Sequence, residues 1–75
     1  MDYIGIEMIP VSSSNVASVG YDDATSTLYV KFLSNSTYIY KGVPSLEFEG
    51  LLNASSVGSY LNRNIKNLYP YERIE

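Results

Sequence analysis

The chain has no cysteine, no histidine and no tryptophan, and only five of its 75 residues are lysine or arginine. Without cysteine or histidine there are no disulfides and no ligands for a structural zinc site, so packing and self-association must hold the fold. The same absences remove the commonest general base and the most nucleophilic side chain. The carboxylates of Asp22 and Asp23 adjoin on a turn and point apart into solvent, and no spacing suggests a Ser–Lys pairing. We therefore expect a protein that is not an enzyme and needs neither metal nor cofactor. Eight acidic residues against five basic ones give a net charge of −3, which repels a long polyanion unless the cations converge. Long apolar runs are also missing. Met1–Pro10 has neither a basic cap nor an apolar stretch of helical length, so the expectation is a cytoplasmic protein that does not enter a membrane. The patterns Asn35-Ser36-Thr37 and Asn53-Ala54-Ser55 are then chance matches to a glycosylation signal.

What the chain has in quantity is tyrosine, with eight residues in a sequence that is 45% hydrophobic. That composition describes one globular domain spanning residues 1–75. A domain of this size buries only roughly 60% of the surface of its unfolded chain, so a partner subunit is a natural support. So many tyrosines exceed what a small core covers, and tyrosine is enriched where proteins meet each other or a planar ligand. We expect a homo-oligomer; the plainer alternative is tyrosines half-exposed on a sheet.

From Val16 to Lys41 short apolar runs alternate with polar clusters, the pattern of a small antiparallel β-meander. Val16–Tyr21 is the first strand, and Asp22-Asp23-Ala24 is a turn whose carboxylates can bond nearby amides. In Thr27–Phe32, Leu28, Val30 and Phe32 share one face and Thr27, Tyr29 and Lys31 the other. Ser34-Asn35-Ser36 supplies a turn, and Thr37–Lys41 returns as a third strand with Tyr38 and Tyr40 on one face and Ile39 on the other. Either Ile39 or the two tyrosines must meet something other than the main core, and the tyrosines are the better functional candidates. Ser45 reads as the N-cap of a helix carrying Phe48, Leu51, Leu52 and Ser55 as its apolar stripe, with Gly50 as its weakest position. Ser55-Ser56 marks a second helix with Val57, Leu61, Ile65 and Leu68 on its apolar face, ended by Asn67 and Pro70. Tyr71–Glu75 is a candidate C-terminal edge strand. The fold class is therefore α+β, a β-meander followed by two short helices.

These residues assemble into a recurring pattern: Ser13-Ser14-Asn15, Gly20-Tyr21-Asp22, Leu28-x-Val30-x-Phe32, Tyr38-x-Tyr40, Val43-Pro44 and Ser56-x-Gly58-x-Tyr60-x-Asn62-x-x-Ile65-Lys66. The pattern resembles the KTSC domain over about Val11–Tyr69. That family takes its name from the C-terminal domain of some lysyl-tRNA synthetases and also occurs as stand-alone proteins of bacteria and phages. The resemblance implies a binding module, with RNA suggested by the synthetase fusion. The acidic balance of this chain departs from that suggestion.

Candidate binding residues follow from the chemistry of each segment. Tyr38 and Tyr40 offer planar faces for stacking a base, against the alternative of packing on a helix or a partner. Arg63 and Lys66, three apart on one helix, are the pair of cations best placed to converge, although such pairs are more often a solvated face. Ser12, Ser13, Ser14 and Asn15 form a dense polar set, with Ser13, Ser14 and Asn15 as its candidate binding residues, and Ser55-Ser56 with Gly58 opens a helix whose free amides suit a phosphate; both also read as ordinary turns and caps. Tyr60 and Asn62 complete a polar rim. The expected function is sequestration of a small, anionic, nucleotide-like ligand. A phage sponge for a host cyclic-nucleotide immune signal is its most concrete form. A single-stranded RNA module, disfavoured by net charge, and a protein–protein adaptor are the alternatives.

Overall fold

A computed structural model describes residues 5–75, so the first four residues of the Met1–Pro10 segment lie outside the described residues. Five antiparallel strands form one sheet in chain order: β1 (Ile9–Pro10), β2 (Val16–Asp22), β3 (Thr27–Phe32), β4 (Thr37–Lys41) and β5 (Tyr71–Arg73). Between β4 and β5 come α1 (Ser45–Asn53) and α2 (Val57–Tyr60), the latter running on into a π-helical turn at Leu61–Ile65. The meander, the two short helices and the C-terminal edge strand all form, and β1 adds a strand that the sequence pattern had not marked. No helix among the described residues is long and apolar enough to cross a membrane.

The turns show why the chain reverses where it does. Asp22 accepts from the Ala24 amide and the Thr25 hydroxyl, each at 3.0 Å, which ties the β2–β3 turn. Asn35 adopts the left-handed conformation (φ 72°) that lets the β3–β4 hairpin close. The register opposes Leu28 to Tyr40 and Val30 to Tyr38. Period-2 alternation thus places both tyrosines on the same face as Leu28 and Val30, and that face is the one the helices cover. Val19, Leu28, Val30, Val43, Leu51 and Ile65 form the centre of this core. Ile39 faces the opposite side with Tyr29. On that side Ile6 and Met8 bury themselves against Gly20.

The helix boundaries differ from the sequence expectation in two places. Pro44 caps α1 through its carbonyl, which accepts from the Glu47 amide at 2.9 Å, so Ser45 is the first helical residue and not the cap. Ser56 does cap α2, its Oγ accepting from the Ser59 amide at 3.3 Å. At the far end, the π turn winds more slowly than an α-turn. The helix stops at Ile65, and the Leu68 amide returns to the Ile65 carbonyl at 3.1 Å. Leu68 consequently lies 67% exposed, outside the apolar face it was expected to join, and Tyr69 packs on the core in its place.

Glu47 locks the helices together, because its carboxylate accepts hydrogen bonds from both the Tyr60 and the Tyr69 hydroxyls. Gly50 makes room for this. A Cβ there would collide with the Tyr60 hydroxyl, so the weakest position of the helix is also where another side chain crosses it. Gly50→Ala should therefore destabilise the domain by about 1–3 kcal/mol of overpacking, against about 1 kcal/mol of helix propensity gained. Urea unfolding monitored by circular dichroism measures the difference, and a stabilised variant would show that the Tyr60–Glu47 bond is dispensable.

Candidate functional site

The site is built on β4 and its neighbours. Tyr71 of β5 pairs with Tyr40 and Arg73 with Tyr38, so the alternation that places the β4 tyrosines on the helix side carries Tyr71 and Arg73 with them. Phe32 ends β3 on the same face. The helices do not reach the outer strand, where Tyr71 stands 62% exposed. They leave a groove of about 430 Å³ lined by Phe32, Ser34, Ser36, Tyr38, Tyr40, Lys66 and Tyr71. Its wall is aromatic. Phe32 meets Tyr38 edge to face at 5.7 Å, and Tyr71 lies 5.8 Å from Tyr38 and 6.1 Å from Tyr40, tilted by 41° in both pairs. The two serines come from the β3–β4 turn and supply hydroxyls, and Lys66 supplies one ammonium from the helix end. Tyr40 forms the floor and is also core, with 2% of its surface exposed. Burial, reinforced by Tyr38 and Tyr71, raises its hydroxyl pKa above the usual phenol value, so it remains a neutral donor.

Lys66 reaches this groove because of the π turn. Its amide donates to the Leu61 carbonyl at 2.9 Å, five residues back, and the slower winding swings residues three apart away from each other. Arg63 and Lys66, expected on one face, therefore line different grooves. Arg63 belongs to a second concavity of about 300 Å³ with Ser55, Ser56, Ser59, Tyr60 and Asn64. Several polar groups there are already engaged: Ser56 caps α2, and the Tyr60 hydroxyl is held by Glu47. That bond, before burial, raises the pKa of Tyr60, whereas for Tyr69 burial comes first and Glu47 second.

Ser13, Ser14 and Asn15 lie elsewhere. The Ser13 hydroxyl accepts from the amides of Asn15 (3.3 Å) and Val16 (3.2 Å) and donates to Asn15 Oδ1 at 3.1 Å, a local turn that starts β2. Asn15 Oδ1 sits so close to Gly58 that a Cβ there would lie 2.6 Å away, which docks this turn on the start of α2. Ser14 and Asn62 are exposed and line neither groove. The groove thus gathers Tyr38, Tyr40 and Lys66 from the expected set and adds Phe32, Ser34, Ser36 and Tyr71. The strand alternation marked Phe32, but Tyr71 needed the β4–β5 register and the serines read only as turn formers.

The KTSC domain model matches residues 12–69. The chain belongs to the KTSC domain family. A KTSC domain protein of Yersinia pestis has a crystal structure that superposes with a TM-score of 0.90 at 33% identity, covering 93% of this chain and 99% of that one. A protein of Tsukamurella paurometabola is 41% identical over 59 residues, 79% of this chain and 88% of its own length. A lysine–tRNA ligase of Nostoc punctiforme is 33% identical over 73 residues, which are 97% of this chain but only 13% of the ligase. Much of the KTSC pattern has a structural use here. Ser13 ties the turn before β2, Ser56 caps α2, Asn15 meets Gly58, Tyr21 donates to the Val43 carbonyl and Tyr60 donates to Glu47. Tyr38 and Lys66 instead face the groove.

Proposed function

We propose that this KTSC domain is a non-catalytic binding module that holds a small nucleotide-like ligand in the groove between β4, β5 and the helix end. The observation that carries this reading is the convergence of aromatic rings, two serine hydroxyls and one lysine on a single concavity of about 430 Å³. That volume falls within the range of roughly 300–1,000 Å³ typical of small-molecule sites. A base stacks on the rings, its edge and ribose meet hydroxyls, and a phosphate meets Lys66. One ammonium suits a compact anion better than a polymer, as does the net charge of −3. In this reading the ligand is held and not consumed. In its most concrete form the module is a sponge that lowers the free concentration of a cyclic-nucleotide signal.

A thermal-shift panel of cyclic dinucleotides, ADP-ribose, mononucleotides and short RNA at two salt concentrations tests this. Ligand at 100 times its dissociation constant adds about 2.7 kcal/mol, a large upward shift for a chain of this size. One small nucleotide should stabilise the wild type, and Tyr38→Ala should weaken its binding by about 1–3 kcal/mol, the usual worth of a stacked base. Lys66→Ala should weaken it in a salt-dependent way. The match to a lysine–tRNA ligase favours one other reading, a single-stranded RNA module on the same rings. A shift given by RNA alone and lost with added salt would select it. A flat panel would sink both and leave protein–protein contact.

A further inference from the structure

The two edges of the sheet are finished differently. On β1 the Val11 amide bonds the Ala17 carbonyl at 3.1 Å and Ile9 pairs with Val19, so Pro10 between them turns its ring nitrogen outward. That edge offers no donor where a further strand would need one, a common protection of exposed edges. On β5 the Lys41 amide bonds the Pro70 carbonyl at 2.9 Å and the Ile74 amide bonds the Thr37 carbonyl at 2.8 Å, with Glu72 opposite Ile39 between them. By the same alternation, the amides and carbonyls of Tyr71 and Arg73 point away from β4. No proline guards them, and every residue of 71–75 is exposed.

We infer that two copies of this chain join edge to edge through β5, antiparallel about Glu72, and that each lends Arg73 to the rim of the other's groove. The edge is self-complementary in this register. Tyr71 of one copy opposes the partner's Arg73, and each such pair exchanges two main-chain hydrogen bonds. A two-fold axis normal to the sheet keeps both grooves on one side. The partner's guanidinium is thereby set beside the exposed Tyr71 ring, a cation–π arrangement. Within its own chain the Arg73 Nε donates to the Glu75 carbonyl at 2.8 Å. The two Glu72 side chains meet on the opposite face, each already beside Lys41 at 3.6 Å, so the like charges arrive partly neutralised. The functional consequence, a partner cation added to a groove whose lining among the described residues holds the one cation Lys66, rests on the ligand reading above; the pairing itself does not.

Sedimentation velocity over a concentration series tests the pairing. The wild type should reversibly form a dimer. Arg73→Pro, which removes an outward amide and leaves the β4–β5 bonds intact, should be monomeric with an unchanged circular dichroism spectrum. Glu72→Gln, which removes the opposed charges, should lower the dimer dissociation constant several-fold. A wild type that stays monomeric at its highest soluble concentration overturns the proposal, as does a dimer indifferent to both substitutions. The nucleotide panel is a separate readout. A β5-dependent dimer with a flat panel upholds the pairing and sinks the ligand reading; a nucleotide shift in a strict monomer does the reverse.

Discussion

Tyr40→Ala will cost about 3–5 kcal/mol, the range for removing a large ring from a packed core, and Tyr40→Phe will keep most of that stability. The ring is 2% exposed and sits between Leu28 across the strand pair and Tyr71 on the outer strand. Globular domains have roughly 0.05–0.15 kcal/mol of stability per residue, so a chain this short loses much of its total, and urea denaturation should find the alanine variant largely unfolded. Alkaline pH separates ring from hydroxyl. The folded pKa of Tyr40 is raised by burial, and those of Tyr60 and Tyr69 are raised as well. Below the ordinary phenol pKa of about 10 both states are protonated and stability is whole; above it the unfolded chain ionises first. Melting temperature should fall as pH rises past about 10, and less steeply in Tyr40→Phe. An alkaline profile identical to wild type would mean that the Tyr40 hydroxyl is solvated.

Ile65→Ala will cost about 2–5 kcal/mol while Leu68→Ala stays within about 0.5 kcal/mol of wild type. The two residues are one α-helical repeat apart in sequence and read as equivalent. The structure separates them, with Ile65 fully buried and Leu68 outside the core beyond the π turn. Ile65 also immediately precedes Lys66, so collapse around the shortened side chain should weaken the nucleotide binding proposed above as well as folding. Equal losses for the two alanine variants, measured by denaturant unfolding, would mean that the helix continues as a regular α-helix through residue 68.

The strands, the turn at Asp22, the left-handed Asn35 and the cap at Ser56 were legible because each follows from chemistry within a few residues of chain. So was the sharing of one face by Tyr38 and Tyr40, since alternation along a strand is fixed by the backbone. The same locality explains the errors. A carbonyl cap at Pro44 leaves no side-chain signature beside Ser45, and one wider helical turn undid both the convergence of Arg63 with Lys66 and the place of Leu68.

The amino-acid sequence alone determined an acidic, cysteine-free and histidine-free α+β domain of the KTSC family whose tyrosines would fall in sets by strand face. Tertiary structure alone decided that the face of Tyr38 and Tyr40, and not that of Ile39, is the core side. It also decided that Tyr71 closes a groove with them, and that Gly50 and Gly58 are crossings for Tyr60 and Asn15. The reason is range: periodicity belongs to neighbouring bonds, whereas what covers a face is supplied by residues tens of positions away, brought there by the register of strands and the winding of one turn.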